Sequence, residues 1–232
     1  MGKIQKIEAL FYNILTYTYL FPPLVFFLFW NKLKLEKSGL WVNIYAISFF
    51  FIVLLEDSIT TTRFSTRIYY QSFTFFEYIF FTGIFWFAIK NTRIRSIIII
   101  LSIAFSIFQV IYFFIEKFKR IDSLPIGVET ILILLYIFYF FYEQLKEPKD
   151  RHLSENHFFW AAAGILIYLS GSFFMNILAN AMDQNQISTY WFLTYIVDII
   201  KNIFLAIGLF VLARHKPNQE KIKKSVPFLD MN

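Results

Sequence analysis

Eight of the polar side chains inside otherwise apolar runs of this sequence call for an explanation. Glu56, Asp57, Glu77, Glu129, Asp198 and Lys201 can carry charge, and Gln109 and Asn176 bring amides. A carboxyl group in apolar surroundings can carry a proton, take a cation or pair with a base, and each role turns it toward a protein interior. Lys201 follows Asp198 by three residues, so the two share a helix face and form a natural ion pair. Glu77 and Glu129 have no other base within the runs, which makes them the strongest candidates for holding a ligand or a proton. Other chemistries lack their residues. The chain has no Cys, so thiolate catalysis, disulfides and Cys metal sites are excluded. His152, His157 and His215 lie outside the runs and form no HExxH pair. There is no GxxxxGK[ST] or GxGxxG phosphate loop, and neither a YD nor a GxGD pair marks an aspartyl protease. The expectation is a protein with no cofactor, no metal and no enzymatic activity.

The elements that position these groups are seven apolar runs: 10–30, 41–58, 70–89, 97–115, 124–142, 158–179 and 190–212. Each approaches the 20 or so helical residues that cross a hydrocarbon core. Hydrophobic residues make up 58% of the 232 positions and charged ones 16%, against roughly 25% charged in globular domains. The sequence therefore reads as an all-α integral membrane protein, a seven-transmembrane-helix bundle in one domain with a basic tail over 213–232. Run 10–30 contains Pro22–Pro23 and reads as a retained helix kinked there, not as a cleaved leader.

Lys and Arg set the orientation. With the N-terminus outside, the inner segments 31–40, 90–96, 143–157 and 213–232 hold fourteen of them, and the outer segments hold seven. Lys3, Lys6, Arg63, Arg67, Lys117, Lys119 and Arg120 are the outer seven. The C-terminus is then cytoplasmic. The net charge of +6 is explained by topology and membrane-lipid headgroups, without nucleic acid. At 1.5 Å per residue, Glu77 lies about 10 Å, Glu129 about 7 Å and Asp198 about 12 Å below their outer ends, with Lys201 about 16 Å down.

Spacing gathers the polar groups. Gly164, Tyr168, Ser172, Asn176 and Asn180 recur every four residues; Trp191, Thr194, Asp198 and Lys201 share one face. So do Gln71, Thr74 and Glu77; Ser102, Ser106 and Gln109; and Glu129, Tyr136 and Tyr139. The reading is a polar cavity lined by spans two to seven and open to the outside. Its candidate ligand-binding residues are Glu77, Glu129, Asp198, Lys201, Asn176, Gln109 and Glu56. Purely structural roles compete at each point: Asp198–Lys201 can fix helix register, the Gly/Ser stripe can serve close helix packing, and Glu56 and Asp57 can pair with Arg63 or Arg67. Trp30, Trp41, Trp160, Tyr190 and Trp191 read as interface anchors.

Phe159 to Phe174, Phe-Trp-Ala-Ala-Ala-Gly-Ile-Leu-Ile-Tyr-Leu-Ser-Gly-Ser-Phe-Phe, resembles the sixth span of uncharacterised bacterial seven-helix membrane proteins. Phe76-Glu77-Tyr78, Leu54-Leu55-Glu56 and Tyr142-Glu143-Gln144-Leu145 are similar to that group too. Its members are often encoded beside sensor histidine kinases, so the resemblance implies a sensory accessory role and supports Glu56, Glu77 and the span-six stripe. The leading expectation is thus a sensory module in a bacterial inner membrane. It would bind a small ligand in the outer cavity and act through a cytoplasmic signalling protein such as a histidine kinase, in an unspecified oligomeric state. Proton-coupled transport through the same carboxylates is the main alternative, although spans 1–3 and 5–7 share no repeat. A retinal protein with Lys201 as Schiff base is a further one, against which stand the Asp–Lys spacing of three and the lack of an Arg and an Asp in span three. Intramembrane carboxylate catalysis is the last.

Overall fold

The computed structural model describes residues 3–115, 123–146, 153–178 and 181–214. Lys117, Lys119, Arg120, Pro148, Lys149, Arg151, His152, Asn180, His215 and the tail from 215 lie outside them, as do the side chains of Lys3, Lys6, Asp57 and Arg63.

The described chain is helical, in the order α1 Lys3–Thr18, α2 Phe21–Leu28, α3 Trp30–Leu33, α4 Lys37–Leu54, α5 Glu56–Ile59, α6 Arg63–Ala88, α7 Thr92–Ile115 and α8 Ser123–Lys146. A 3-10 turn Leu153–Glu155 leads into α9 His157–Leu178, α10 Gln184–Tyr190 and α11 Phe192–Arg214. The prolines act as the sequence implies. Pro22 and Pro23 stand at the first positions of α2, where a missing N–H costs nothing. The ladder of α1 ends just before them, with Leu20 N–H closing onto Tyr17 O in a tighter turn.

Among the described residues six segments are long and apolar enough to cross a membrane: Glu8–Leu28 (α1 with α2), α4, α7, α8, α9 and α11. These are the features of a multi-pass membrane protein. The expected third span, 70–89, differs. It begins seven residues early, at Arg63, because Thr62 and Ser65 form a reciprocal capping box, Ser65 N–H to Thr62 Oγ1 and Thr62 N–H to Ser65 Oγ, each 3.1 Å. Its 26 residues include the polar Arg67, Gln71, Thr74 and Glu77, so it is long enough but less apolar than the six.

Neighbouring helices close a ring: α1 and α2 pack on α4, α4 on α6, α6 on α8, α8 on α9, α9 on α11, and α11 back on α1 and α2. The α9–α11 pair is the most extensive, and its glycines show why. A Cβ on Gly164 would stand 2.6 Å from Phe204 Cβ, and one on Gly171 would stand 2.6 Å from Val197 Cγ1. The small residues let the two backbones meet. Among the described residues helix α7 packs mainly on α6 and α8 and stays outside the ring. It exposes Ile99, Ile100, Ile103, Ile107, Val110 and Ile111 along its outer side, a surface suited to lipid.

One half of the ring is a solid apolar core. Leu33, Phe85, Ile89, Ile137, Phe140, Leu205 and Leu209 are buried there. The other half, where α1 and α11 begin and α9 ends, is hollow.

Candidate functional site

The hollow is a cavity of about 420 Å³, within the usual range for small-molecule sites of roughly 300–1,000 Å³. Glu8, Glu56 and Arg67 stand at its mouth, Tyr12, Tyr69, Phe73, Trp191 and Tyr195 on its walls, and Glu77, Glu129 and Asp198 deepest. Every ring helix except α2 contributes to it.

The floor centres on Lys201. Its Nζ lies 2.6 Å from Asp198 Oδ1 and 3.5 Å from Glu77 Oε1, and the side chain has no solvent exposure. Tyrosines complete both acids: Tyr19 OH donates to Asp198 Oδ2 at 2.8 Å, and Tyr168 OH donates to Glu77 Oε2 at 3.0 Å. The ammonium also lies 4.0 Å from the ring centre of Tyr168, 5.3 Å from Tyr45, 5.5 Å from Tyr19 and 5.6 Å from Phe81. Ring faces attract a cation most strongly where water is excluded. Five ring helices, α4, α6, α9, α11 and the α1 end, thus meet on one charge.

Glu77 is therefore not the lone glutamate that run-by-run reading makes it. Its base comes from α11, 124 positions away in sequence. Glu129 is the acid left over. It is 2% exposed, and its Oε1 has no hydrogen-bond partner among the described residues. Helix α8 puts it there by burying Glu129, Thr130, Ile133, Tyr136 and Ile137 on one face.

The other candidates divide. Asn176, Glu56 and Asp198 line the cavity, while Lys201 sits behind its floor and Gln109 is remote from it. The expected lining by spans two to seven needs correcting at two points. The first span supplies Glu8, Tyr12 and Leu15 from α1 and Tyr19 just beyond it, and α7, the fourth span, supplies no lining residue. Gln109 Nε2 instead donates to Gln71 O at 2.9 Å, and Ser102 bonds Tyr78 OH at 3.0 Å, so the polar face of α7 is its seam with α6. The span-six stripe splits too: Gly164 meets α11, whereas Tyr168, Ser172 and Asn176 face the cavity. Glu56 accepts from Tyr70 OH at 2.9 Å and Tyr12 OH at 3.2 Å, so tyrosines tie α5 to α6 and α1.

Tyr12 and Tyr19 are among the site residues that sequence reading missed. Their spacing of seven placed both on one face, but tyrosines in an apolar run look like packing or anchors. Thr18 and Asn202 were missed for the same reason; Asn202 Nδ2 donates to Thr18 Oγ1 at 3.1 Å in the buried α1–α11 contact.

Among the described residues no three His, Cys, Asp or Glu side chains converge to hold a metal ion. No protein-family model, curated protein or solved structure matches this chain. The fold and site define its class, an all-helical membrane-type bundle with a one-ended polar cavity. Further assignment rests on the geometry.

Proposed function

We propose that the chain is a membrane-embedded sensory module that binds a small ligand in this cavity and signals through a cytoplasmic partner. The carrying observation is the asymmetry of the ring: a hollow half lined by acids and aromatic rings, and a half packed solid. A site that holds a ligand and reports it needs one opening. A transporter, the alternative reading, needs a second path past Tyr45, Phe81, Phe85 and Phe140, all fully buried.

In this reading α6 is a seventh span, since 26 residues reach about 39 Å and the helix packs between α4 and α8. The basic residues of the packed end, Lys32, Lys34, Arg93, Arg95, Lys146 and Arg214, set that end in the cytoplasm of a bacterial inner membrane. They also form the surface on which a partner would dock. The α9–α11 pair runs from floor to packed end and is the element that would move.

Affinity purification from native membranes in mild detergent, with mass spectrometry of co-purifying proteins, tests the proposal. A histidine kinase or another signalling protein at near-stoichiometric yield is the expected result. Recovery of the bare protein, together with proton-coupled flux in liposomes that Glu77→Gln abolishes, would replace it with transport.

A further inference from the structure

We propose that the cavity takes an organic ammonium ion, with the Glu129 carboxylate as its counter-ion and tyrosine rings as its walls. The inference rests on reading the cavity as a ligand site and names what that site selects.

The first argument is charge. Glu77 and Asp198 share Lys201 and each accept a tyrosine hydroxyl. Glu129 lines the same cavity, is 2% exposed, and keeps Oε1 without a hydrogen-bond partner among the described residues. A buried carboxylate that lines a cavity and has an oxygen without a donor calls for a charge-assisted one. Among the described residues the base that lines the cavity is Arg67, and it forms no ion pair with Glu129. Its guanidinium stacks 4.8 Å over Phe113 and donates to Tyr112 O at 3.4 Å, toward α7.

The second argument is the company the protein gives its own ammonium. Lys201 Nζ is held by two carboxylates and by ring faces from 4.0 to 5.6 Å away. The cavity wall repeats those materials above Glu129, with Tyr12, Tyr69, Phe73 and Tyr195. Aromatic faces and a carboxylate together are the recognition chemistry of amines and quaternary ammonium groups. A bare metal ion fits poorly, because hard cations need six or more oxygen ligands and would leave most of 420 Å³ unfilled. A neutral ligand could donate a hydrogen bond to Glu129 but would leave its charge unbalanced.

Benzylammonium and tetraethylammonium are suitable probes, with benzyl alcohol as the uncharged match and sodium as the inorganic one, all at fixed ionic strength. The protein purified in nanodiscs should melt higher with either organic cation in a saturable manner, since a ligand that binds only the folded state stabilises it. Benzyl alcohol and sodium should do neither. Glu129→Gln should weaken the probe about tenfold or more, the loss of one ionic contact. Thr194→Phe, which fills the cavity without removing an acid, should block binding if Glu129→Gln fails to fold. Equal binding of benzyl alcohol, stabilisation by sodium alone, or no binding of either organic cation overturns the proposal. A signalling partner recovered beside a protein that ignores both cations would sink the ligand class and leave the sensory reading standing. Saturable cation binding without any partner would do the reverse.

Discussion

Replacing Lys201 with Met tests the charge cluster most directly. Methionine keeps the length and bulk of the stem and deletes only the ammonium. The group removed is fully buried, 2.6 Å from Asp198 and 3.5 Å from Glu77. Two carboxylates would remain in the same low-dielectric floor with tyrosine hydroxyls as their donors. Removing one partner of a buried ion pair costs about 3–5 kcal/mol, because the other charge is left uncompensated. That lowers the folded-to-unfolded ratio by about two to three and a half powers of ten. Reversible unfolding in mixed detergent micelles measures it. The variant Lys201→Met/Asp198→Asn/Glu77→Gln carries no stranded charge and should recover most of the loss, as neutral replacements of buried ion pairs commonly do. A loss below about 1 kcal/mol for Lys201→Met, or a triple variant no better than the single, would refute the reasoning. Either would mean that the acids hold protons and the floor is neutral without the lysine.

Three further outcomes follow from the packing and topology. Gly164→Ala should destabilise by about 1–3 kcal/mol through overpacking, because its Cβ would stand 2.6 Å from Phe204 Cβ. Gly127→Ala meets nothing within 4 Å and should stabilise by about 0.4–1 kcal/mol; thermal melts that reverse this order contradict the α9–α11 contact. Glu143→Ala should loosen the connection before α7 by about 0.5–2 kcal/mol, since its carboxylate accepts from Lys90 N–H at 2.9 Å and Asn91 N–H at 3.0 Å; hydrogen exchange at 90 and 91 that does not rise would count against that tie. With no native Cys, Thr61→Cys and Asn91→Cys are single reporters on either side of α6. An impermeant maleimide should label the first from outside the cell and the second only from within, and labelling of both from one face would remove α6 from the membrane.

Much of the helix map was legible because a bilayer imposes length and apolarity on any segment that crosses it. The doublet Pro22–Pro23 marked its own break, and runs 97–115, 124–142 and 158–179 match α7, α8 and α9 to within a few residues apart from their polar extensions. What escaped was partnership. Spacing shows which residues share a face, yet not which helix that face meets. Ser102, Ser106 and Gln109 form a polar face as regular as that of Gln71, Thr74 and Glu77, but α7 lies outside the ring and spends its face on α6. Tyr19 meets Asp198 across 179 positions and Tyr168 meets Glu77 across 91, separations at which no local pattern speaks.

The relation between apolarity and function also runs opposite to the way a hydropathy profile draws attention. Helix α7 is the most apolar of the spanning segments and the least buried, because a helix at the periphery turns only a narrow face to its neighbours. Helix α6 is too polar to register among the six, yet it carries Gln71, Thr74 and Glu77 into the interior and touches α4, α7, α8 and α9. A window average merges the faces of a helix, whereas a bundle uses them separately: one face meets neighbours or a cavity, the other meets lipid. The polar residues that lower the average of α6 are those that the ring encloses. For a bundle of this kind, the segment that falls just short of a membrane span on composition while exceeding one in length is where the interior chemistry is to be sought. Here that segment leads from Arg67 at the mouth of the cavity to Glu77 at its floor.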